Sequence, residues 1–387
     1  MDTIDLLEPF DPLGENKSET SGGGDHLAEN GVGVEDLHLD DILMYALHRG
    51  ASDIHLSVDL PPMVRVDGDL VPSKYTPLTP MDTQRLIYDI LTSEQVQWFE
   101  KTKELDFSYS LKEAGRFRVN VYRQRCTVGA ALRAIPTKIP TIEQLGLPAI
   151  ISDLCDRHSG LILVTGPTGS GKSTTIATMI DKINREKTGH IMTIEDPVEY
   201  LHHHKKCMIN QRELSTDTDS FENALRAVLR EDPDIILVGE MRDLETIASA
   251  LTLAETGHLV FGTLHTRNAP QTIDRVVDVF PAHQQAQIKV QLSNTLEAVI
   301  AQQLIPRKGG GRYASIEIMV ATPAIRNLIR EGKTFQVYSS METGGQYGMR
   351  TMDSELAAAH KNGIIAYEEA ISRCIDKDNF QRLLSGM

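Results

Sequence analysis

One stretch decides the fold of this 387-residue chain: Gly166-Pro167-Thr168-Gly169-Ser170-Gly171-Lys172-Ser173. It matches the phosphate-loop pattern G-x-x-x-x-G-K-[ST] in full, with an apolar run before it and a helical pattern after it. The glycines let backbone N–H groups surround a phosphate chain, and the helix dipole favours negative charge there. We therefore expect an ATP site in which Lys172 reaches the β- and γ-phosphates and Ser173 holds Mg²⁺, with Thr174 included in the binding set.

The rest of the second half of the chain alternates between apolar runs and helical patterns. The apolar runs are residues 161–164, 190–194, 235–238 and 258–264, and the helical patterns are residues 173–184, 221–229 and 244–255. Near-continuous apolar runs are typical of buried parallel strands. The alternation predicts a doubly wound α/β core within residues 158–387. A turn is expected at the glycine run 309–311, followed by mostly helical segments, with C-terminal helices from about residue 322.

A smaller mixed α/β domain is predicted over residues 37–140. Its patterns are a helix at 39–47, a single helix at about 81–101, and short strands at 54–56, 63–66, 70–71, 107–110, 116–123 and 128–134. Asp67-Gly68 predicts a tight hairpin turn between two of these strands. Pro136, Pro140 and Pro148 place the linker between the two domains at residues 141–157.

The negative charge of the chain is concentrated at its N-terminus. Of the formal net charge of −15, the first 36 residues carry −9, from ten acids and the single base Lys17. A segment so acidic and so poor in large apolar groups is predicted to be a disordered tail. The acidic balance argues against a broad nucleic-acid surface. The four cysteines lack metal-ligand spacing, and neither a membrane-spanning run nor a signal peptide is predicted.

Three carboxylates, Glu195, Asp196 and Glu199, follow the second predicted core strand. Strand ends in an open α/β sheet face the ligand crevice. Acids at that position suit a general base and support for Mg²⁺, and a solvated acidic loop is the alternative. We therefore place Glu195 and Asp196 in the predicted ATP and Mg²⁺ site.

The two remaining core strands also end in polar residues. Residues 234–240 follow the Walker B pattern, an apolar strand ending in an acid, except that Gly239 stands where the aspartate is usual and the acid is Glu240. An ordinary buried strand with an acidic exit is the alternative. His265 ends the next strand on the ligand side, where a γ-phosphate sensor or a structural histidine would both fit. The histidine run 202–204 is predicted to be an exposed polar loop, and no metal is expected besides Mg²⁺.

Arginines cluster in the predicted strands of the first domain. They are Arg116, Arg118, Arg123, Arg125 and Arg133, and Arg116 and Arg118 alternate, so they share one face of a strand. One interpretation is a salt-bridged or solvated sheet surface. The other is a set of arginines, with Arg116, Arg118, Arg123 and Arg133 as candidates, that act in trans on the nucleotide of a neighbouring subunit. The second interpretation requires a ring.

Taken together, these segments resemble the PilT/PilB secretion ATPases. The resemblance rests on residues 51–56, 65–68, 166–173, 194–200, 238–243 and 258–266, and covers roughly residues 37–387. It implies a PAS-like N-terminal domain, a RecA-like P-loop ATPase domain and a homohexamer. It also implies that Glu199 is the catalytic glutamate, that Glu240 is the Walker B residue and that His265 is the His-box residue.

The resemblance further implies a cytoplasmic motor, peripheral at the inner face of the cytoplasmic membrane, that works against an inner-membrane pilus platform protein. Residues 324–331 are similar to a signature of the retraction motors in the family, which implies type IV pilus retraction and twitching motility. Assembly and secretion ATPases of the family usually carry a C-x-x-C zinc element. This chain lacks that element, which favours retraction, and a pilus assembly or type II/IV secretion ATPase is the alternative. A nucleic-acid ring motor is disfavoured by the acidic charge and 5% aromatic content. A further alternative is a nucleotide-switched scaffold, which would bind ATP without hydrolysing it. The presence of Glu199 argues against this alternative.

Overall fold

The computed structural model describes residues 32–34, 36–66, 68–111, 115–136 and 138–385. Apart from residues 32–34 and 36, the segment predicted to be an acidic tail lies outside the described residues. The described chain is α/β, as predicted, and contains two sheets. Within these ranges, none of the helices combines the length and the hydrophobicity that a membrane span requires.

The first sheet has six strands in the order β3-β2-β1-β6-β5-β4, and each strand is antiparallel to its neighbours. The elements are α1 (Leu39–His48), β1 (Asp53–Leu56), β2 (Met63–Val66), β3 (Asp69–Pro72), α2 (Pro80–Tyr88), α3 (Ser93–Thr102), β4 (Glu104–Leu111), β5 (Gly115–Gln124) and β6 (Thr127–Ile135). Apolar side chains such as Leu43, Ile54 and Phe117 are fully buried between helices and sheet. Val66 pairs with Asp69 across the predicted turn, of which Asp67 lies outside the described residues.

The single helix predicted at about 81–101 is wrong, because the structure has two helices there, α2 and α3. Asp89 closes α2, and Thr92 begins α3 by accepting a hydrogen bond from the Gln95 N–H. The Gln95 side-chain oxygen in turn accepts a hydrogen bond from the Thr92 N–H, so the two residues form a capping box. A local cap of this strength overrides the continuous helical periodicity.

The second sheet has seven strands in the order β13-β12-β7-β11-β10-β8-β9, parallel except for β13, which is antiparallel to β12. Its elements are α4 (Ala149–Cys155), β7 (Gly160–Thr165), α5 (Lys172–Glu186), β8 (His190–Glu195), β9 (Met208–Glu213), α6 (Phe221–Val228), β10 (Ile235–Val238), α7 (Leu244–Glu255), β11 (Leu259–Leu264), α8 (Ala269–Asp278), α9 (Ala282–Thr295), β12 (Leu296–Pro306) and β13 (Arg312–Val320). The C-terminal helices are α10 (Pro323–Glu331), α11 (Val337–Glu342), α12 (Met352–Lys361), α13 (Tyr367–Arg373) and α14 (Lys377–Ser385).

Three strands of this sheet, β9, β12 and β13, were not predicted. β12 and β13 form a hairpin around the glycine run 309–311, so the segment after that turn begins as a strand rather than as the expected helix. Its Glu317 is fully buried and accepts hydrogen bonds from the N–H groups of Ala269 and Met352. The segment predicted as a linker, residues 141–157, contains α4, whose Ile151 and Leu154 are buried in the core of the second sheet.

Candidate nucleotide site

The phosphate loop lies between β7, whose six residues are all buried, and the first turn of α5. Lys172 is buried, and its ammonium donates hydrogen bonds to the carbonyl oxygens of Gly166, at 2.8 Å, and Pro167, at 3.1 Å. Burial lowers the pKa of Lys172, while the negative charges of Glu240 and Glu199 oppose that shift. The two acids therefore act electrostatically on the loop lysine, as a shared site requires.

Strand β12 holds the loop from the other side. Gly166 has a φ of +142°, and a Cβ atom there would lie 2.2 Å from the carbonyl oxygen of Gln302, so only glycine fits. Thr175 in α5 donates a hydrogen bond to the Gln302 side chain at 2.8 Å. Within the described part of the chain, the buried hydroxyl oxygens of Ser170 and Thr165 have no hydrogen-bond partner. Such groups at a phosphate loop suit a polar ligand.

The acidic segment after β8 reaches the same place. Ser173, Glu195, Glu199 and Tyr200 line one cleft, and the Tyr200 hydroxyl lies 2.8 Å from Thr174 Oγ1. The hydroxyl of Ser173 and the two carboxylates are oxygen ligands of the kind that Mg²⁺ takes, so these residues fit a magnesium ion. Two of the three predicted acids are thus brought to the phosphate loop.

The three acids differ in their surroundings. Burial raises the pKa of Glu195 to about 7. Hydrogen bonds from Thr193, at 2.7 Å, and from Gln211 work to lower this pKa. Part of the Glu195 side chain still reaches solvent. Glu199 is exposed. Asp196 is also exposed, and it borders a separate cleft between the two sheets, together with Arg118. Asp196 is therefore not placed with the phosphate loop in this structure.

Glu240 and His265 are joined directly. His265 Nε2 lies 2.9 Å from a Glu240 oxygen, and Arg242 pairs with that same oxygen. Burial works to raise the pKa of Glu240, but Arg242 and then His265 outweigh it, so this pKa lies below its usual range. Glu240 is therefore an ionised carboxylate held between two cationic or polar partners.

The glycine that departs from the Walker B pattern has a steric reason. A Cβ atom on Gly239 would lie 3.0 Å from both the Cα of Glu195 and the carbonyl oxygen of Ile194. The Gly239 N–H donates to that carbonyl at 2.8 Å. The end of β10 therefore packs directly on the end of β8, and the acid is displaced by one residue to Glu240.

Three of the four arginine candidates are paired within the chain. Arg116 binds Glu213 at 2.7 Å, Arg123 binds Glu100 at 2.6 Å and Arg133 binds Asp53 at 2.7 Å. Arg123 and Arg133 fit the salt-bridged surface of the first sheet, whereas Glu213, the partner of Arg116, lies in β9 of the second sheet. Arg118 is exposed and has no acidic partner within 4.0 Å among the described residues.

Sequence reasoning missed several residues at the site. Gln302 could have been found, because two adjacent glutamines interrupt the apolar run of β12. Glu213, by contrast, lies in the polar edge strand β9, which carries no signal of this kind.

Of the histidine run, His202 is half-buried, and burial lowers its pKa to about 4. No metal-binding cluster of histidine, cysteine and acids occurs in the part of the chain that the structure describes.

Comparison with known proteins agrees with this geometry. The family model of the type II/IV secretion system protein matches residues 28–309. The Pseudomonas aeruginosa protein described as the type IV pilus retractation ATPase PilT is 53% identical over 344 residues, which are 89% of this chain and 100% of that protein. A twitching motility protein of Neisseria gonorrhoeae is 47% identical, over 82% of this chain and 85% of its own length. A crystal structure of the pilus retraction motor PilT with bound ADP is 51% identical and superposes with a TM-score of 0.85, covering 90% of this chain and 100% of that one.

We expect Gly239→Ala to lower the free energy of unfolding by about 1–3 kcal/mol, because the added methyl group overpacks the contact between β10 and β8. Chemical denaturation would measure the loss. Gly345→Ala is the matched control, since a Cβ atom there meets nothing within 4 Å. Equal losses in both variants would contradict the steric explanation.

Proposed function

The chain belongs to the type II/IV secretion system protein family, and on that premise we propose that it is a hexameric ATPase motor for type IV pilus retraction. The observation that carries the proposal is the single cleft in which Ser173 of the phosphate loop meets Glu199 of the acidic loop. A site that only bound a nucleotide would need the loop alone. A carboxylate that faces it adds the group that hydrolysis requires.

In the proposed reaction, the phosphate loop and Lys172 hold the triphosphate of ATP. Glu199 orients a water molecule and accepts its proton as the oxygen attacks the γ-phosphorus. The bond from that phosphorus to the bridging oxygen breaks, which gives ADP and inorganic phosphate. Mg²⁺, held by Ser173 with Glu195 in support, would neutralise charge on the phosphates. The ionised Glu240 holds His265 in place to report the γ-phosphate.

The role of the ring rests on the arginines. Arg118 is the candidate that is left without an acidic partner in the described residues, so it is the one available to a nucleotide bound by a neighbouring subunit. We propose that the two domains change their relative angle during turnover about residues 136–148, which lie between β6 and α4. The proposed partner is an inner-membrane pilus platform protein, through which a cytoplasmic ring would sit at the membrane. Nucleic acid is not a proposed ligand.

Glu199→Gln is expected to lower kcat for ATP by about 10²–10⁴-fold, because the amide cannot accept the proton of the attacking water. Binding of ATP should persist, because the phosphate loop is intact. Steady-state phosphate release and equilibrium binding of a fluorescent ATP analogue would measure the two effects. Glu222→Gln, in α6 and outside the cleft, is the control. Wild-type turnover by the Glu199 variant would remove Glu199 from its proposed role.

If Arg118 acts in trans, mixing two inactive variants should restore part of the ATPase activity. An Arg118→Ala subunit keeps its own phosphate loop, and a Lys172→Ala neighbour can supply the missing arginine. Phosphate release would be measured across mixing ratios after the subunits have exchanged. Activity that stays at the level of the separate variants at every ratio would count against delivery by a neighbour.

Deletion of the gene in a piliated host would test the direction of the motor. Retraction predicts cells that carry many pili but do not twitch, because assembly continues without its opposing process. Electron microscopy of pili and a surface-motility assay would measure the result. Bare cells would instead support the alternative of an assembly ATPase.

A further inference from the structure

We propose that Glu213 is a positioning residue for the hydrolysis reaction, which ties the acidic loop that carries Glu199 to the first domain through Arg116. The inference rests on the proposed ATPase function and deepens it. Glu213 ends β9, the outermost strand of the second sheet, and its side chain is only 4% exposed. None of the motifs in the sequence includes this residue.

Three donors converge on one oxygen atom of Glu213. Its Oε2 accepts hydrogen bonds from Arg116 Nη2 at 2.7 Å, from the backbone N–H of Val198 at 2.9 Å and from the Ser108 hydroxyl at 3.2 Å. Arg116 and Ser108 belong to β5 and β4 of the first sheet, whereas Val198 belongs to the acidic loop. A single buried carboxylate therefore joins the two halves of the chain.

The contact fixes the backbone immediately before the proposed base. Val198 is itself buried and directly precedes Glu199, whose own side chain is exposed and has no hydrogen bond within the described residues to orient it. The position of the Glu199 carboxylate therefore depends on the backbone of its loop. Glu213 is in turn held in place, since its N–H donates to Asp217 Oδ2 at 2.8 Å.

The Arg116 side chain is largely buried in this contact. Its side chain is 16% exposed, and its Nε is buried with no hydrogen-bond partner in the described residues. Removing Glu213 would leave a largely buried guanidinium without its counter-charge, and removing Arg116 would leave a buried carboxylate. Either change should release the loop, so the two residues act on turnover through one shared contact.

The test uses the full chain and steady-state hydrolysis of Mg-ATP. We expect Glu213→Ala and Arg116→Ala each to lower kcat by about 10- to 100-fold, since small misplacements of a catalytic group have effects of this size. The affinity for a fluorescent ATP analogue should stay within about twofold, because neither residue touches the phosphate loop. Arg116→Lys, which keeps the charge, should recover most of the kcat.

The double variant Glu213→Ala/Arg116→Ala should be no slower than either single variant, because both act through the same contact. Glu231→Gln is the matched control. Glu231 pairs at 3.2 Å with Arg212, the neighbour of Glu213 in β9, and does not contact the acidic loop. Its kcat should match the wild type. Glu213→Gln, which keeps an acceptor for the Val198 N–H, is the milder variant and should lower kcat less than alanine does.

Several results would overturn the inference. One is an unchanged kcat in Glu213→Ala. Another is a double variant in which the reductions in kcat from replacing Glu213 and Arg116 multiply. A third is a loss of ATP affinity as large as the loss of kcat. If Glu213→Ala does not fold, multiplying effects of Glu213→Gln and Arg116→Ala would overturn it equally. A wild-type chain without ATP turnover would remove the proposed function together with this inference, whereas an active wild type with an equally active Glu213→Ala would remove the inference alone.

Discussion

The close approach of the Gly166 backbone to the Gln302 carbonyl is the constraint on which the ATPase half of the chain depends. Since any side chain at Gly166 would collide with that oxygen, the phosphate loop can lie against β12 only with glycine at this position. The hydrogen bond from Thr175 to Gln302 then fixes the first turn of α5. Around β7, the parallel strands bring their carboxyl ends to the same edge, and the acids and the histidine of the site project from there.

Much of the fold could be predicted because it leaves a local signal. The phosphate loop predicts the strand before it and the helix after it, and the apolar run 190–194 predicts β8, each from a few neighbouring residues. β13 was missed because its buried Glu317 reads in a sequence as a surface residue. The structure shows that two backbone N–H groups satisfy that carboxylate, and they come from Ala269 and Met352, far from it along the chain. Burial of an acid depends on such long-range partners, which no local pattern contains.

Some features of the candidate site could likewise be predicted from the sequence, and others could not. Alternation predicted that Arg116 and Arg118 share a strand face, but the choice of partner separates them, since Arg116 meets an acid 97 positions away and Arg118 meets none in the described residues. The role of Gly239 was equally hidden, because it follows from the spacing between two strands rather than from the residue itself. Residue types therefore indicated which chemistry to expect, and only the packing of the strands indicated which side chains are available for it.

The strands β4 and β9 are each the outermost strand of their sheet, and both border the cleft between the domains. An outermost strand has one row of unpaired backbone groups, which can recruit a strand from another molecule. β4 carries the exposed acids Glu104 and Asp106 beside this cleft. Repulsion between these like charges on two copies of the chain disfavours strand pairing through β4.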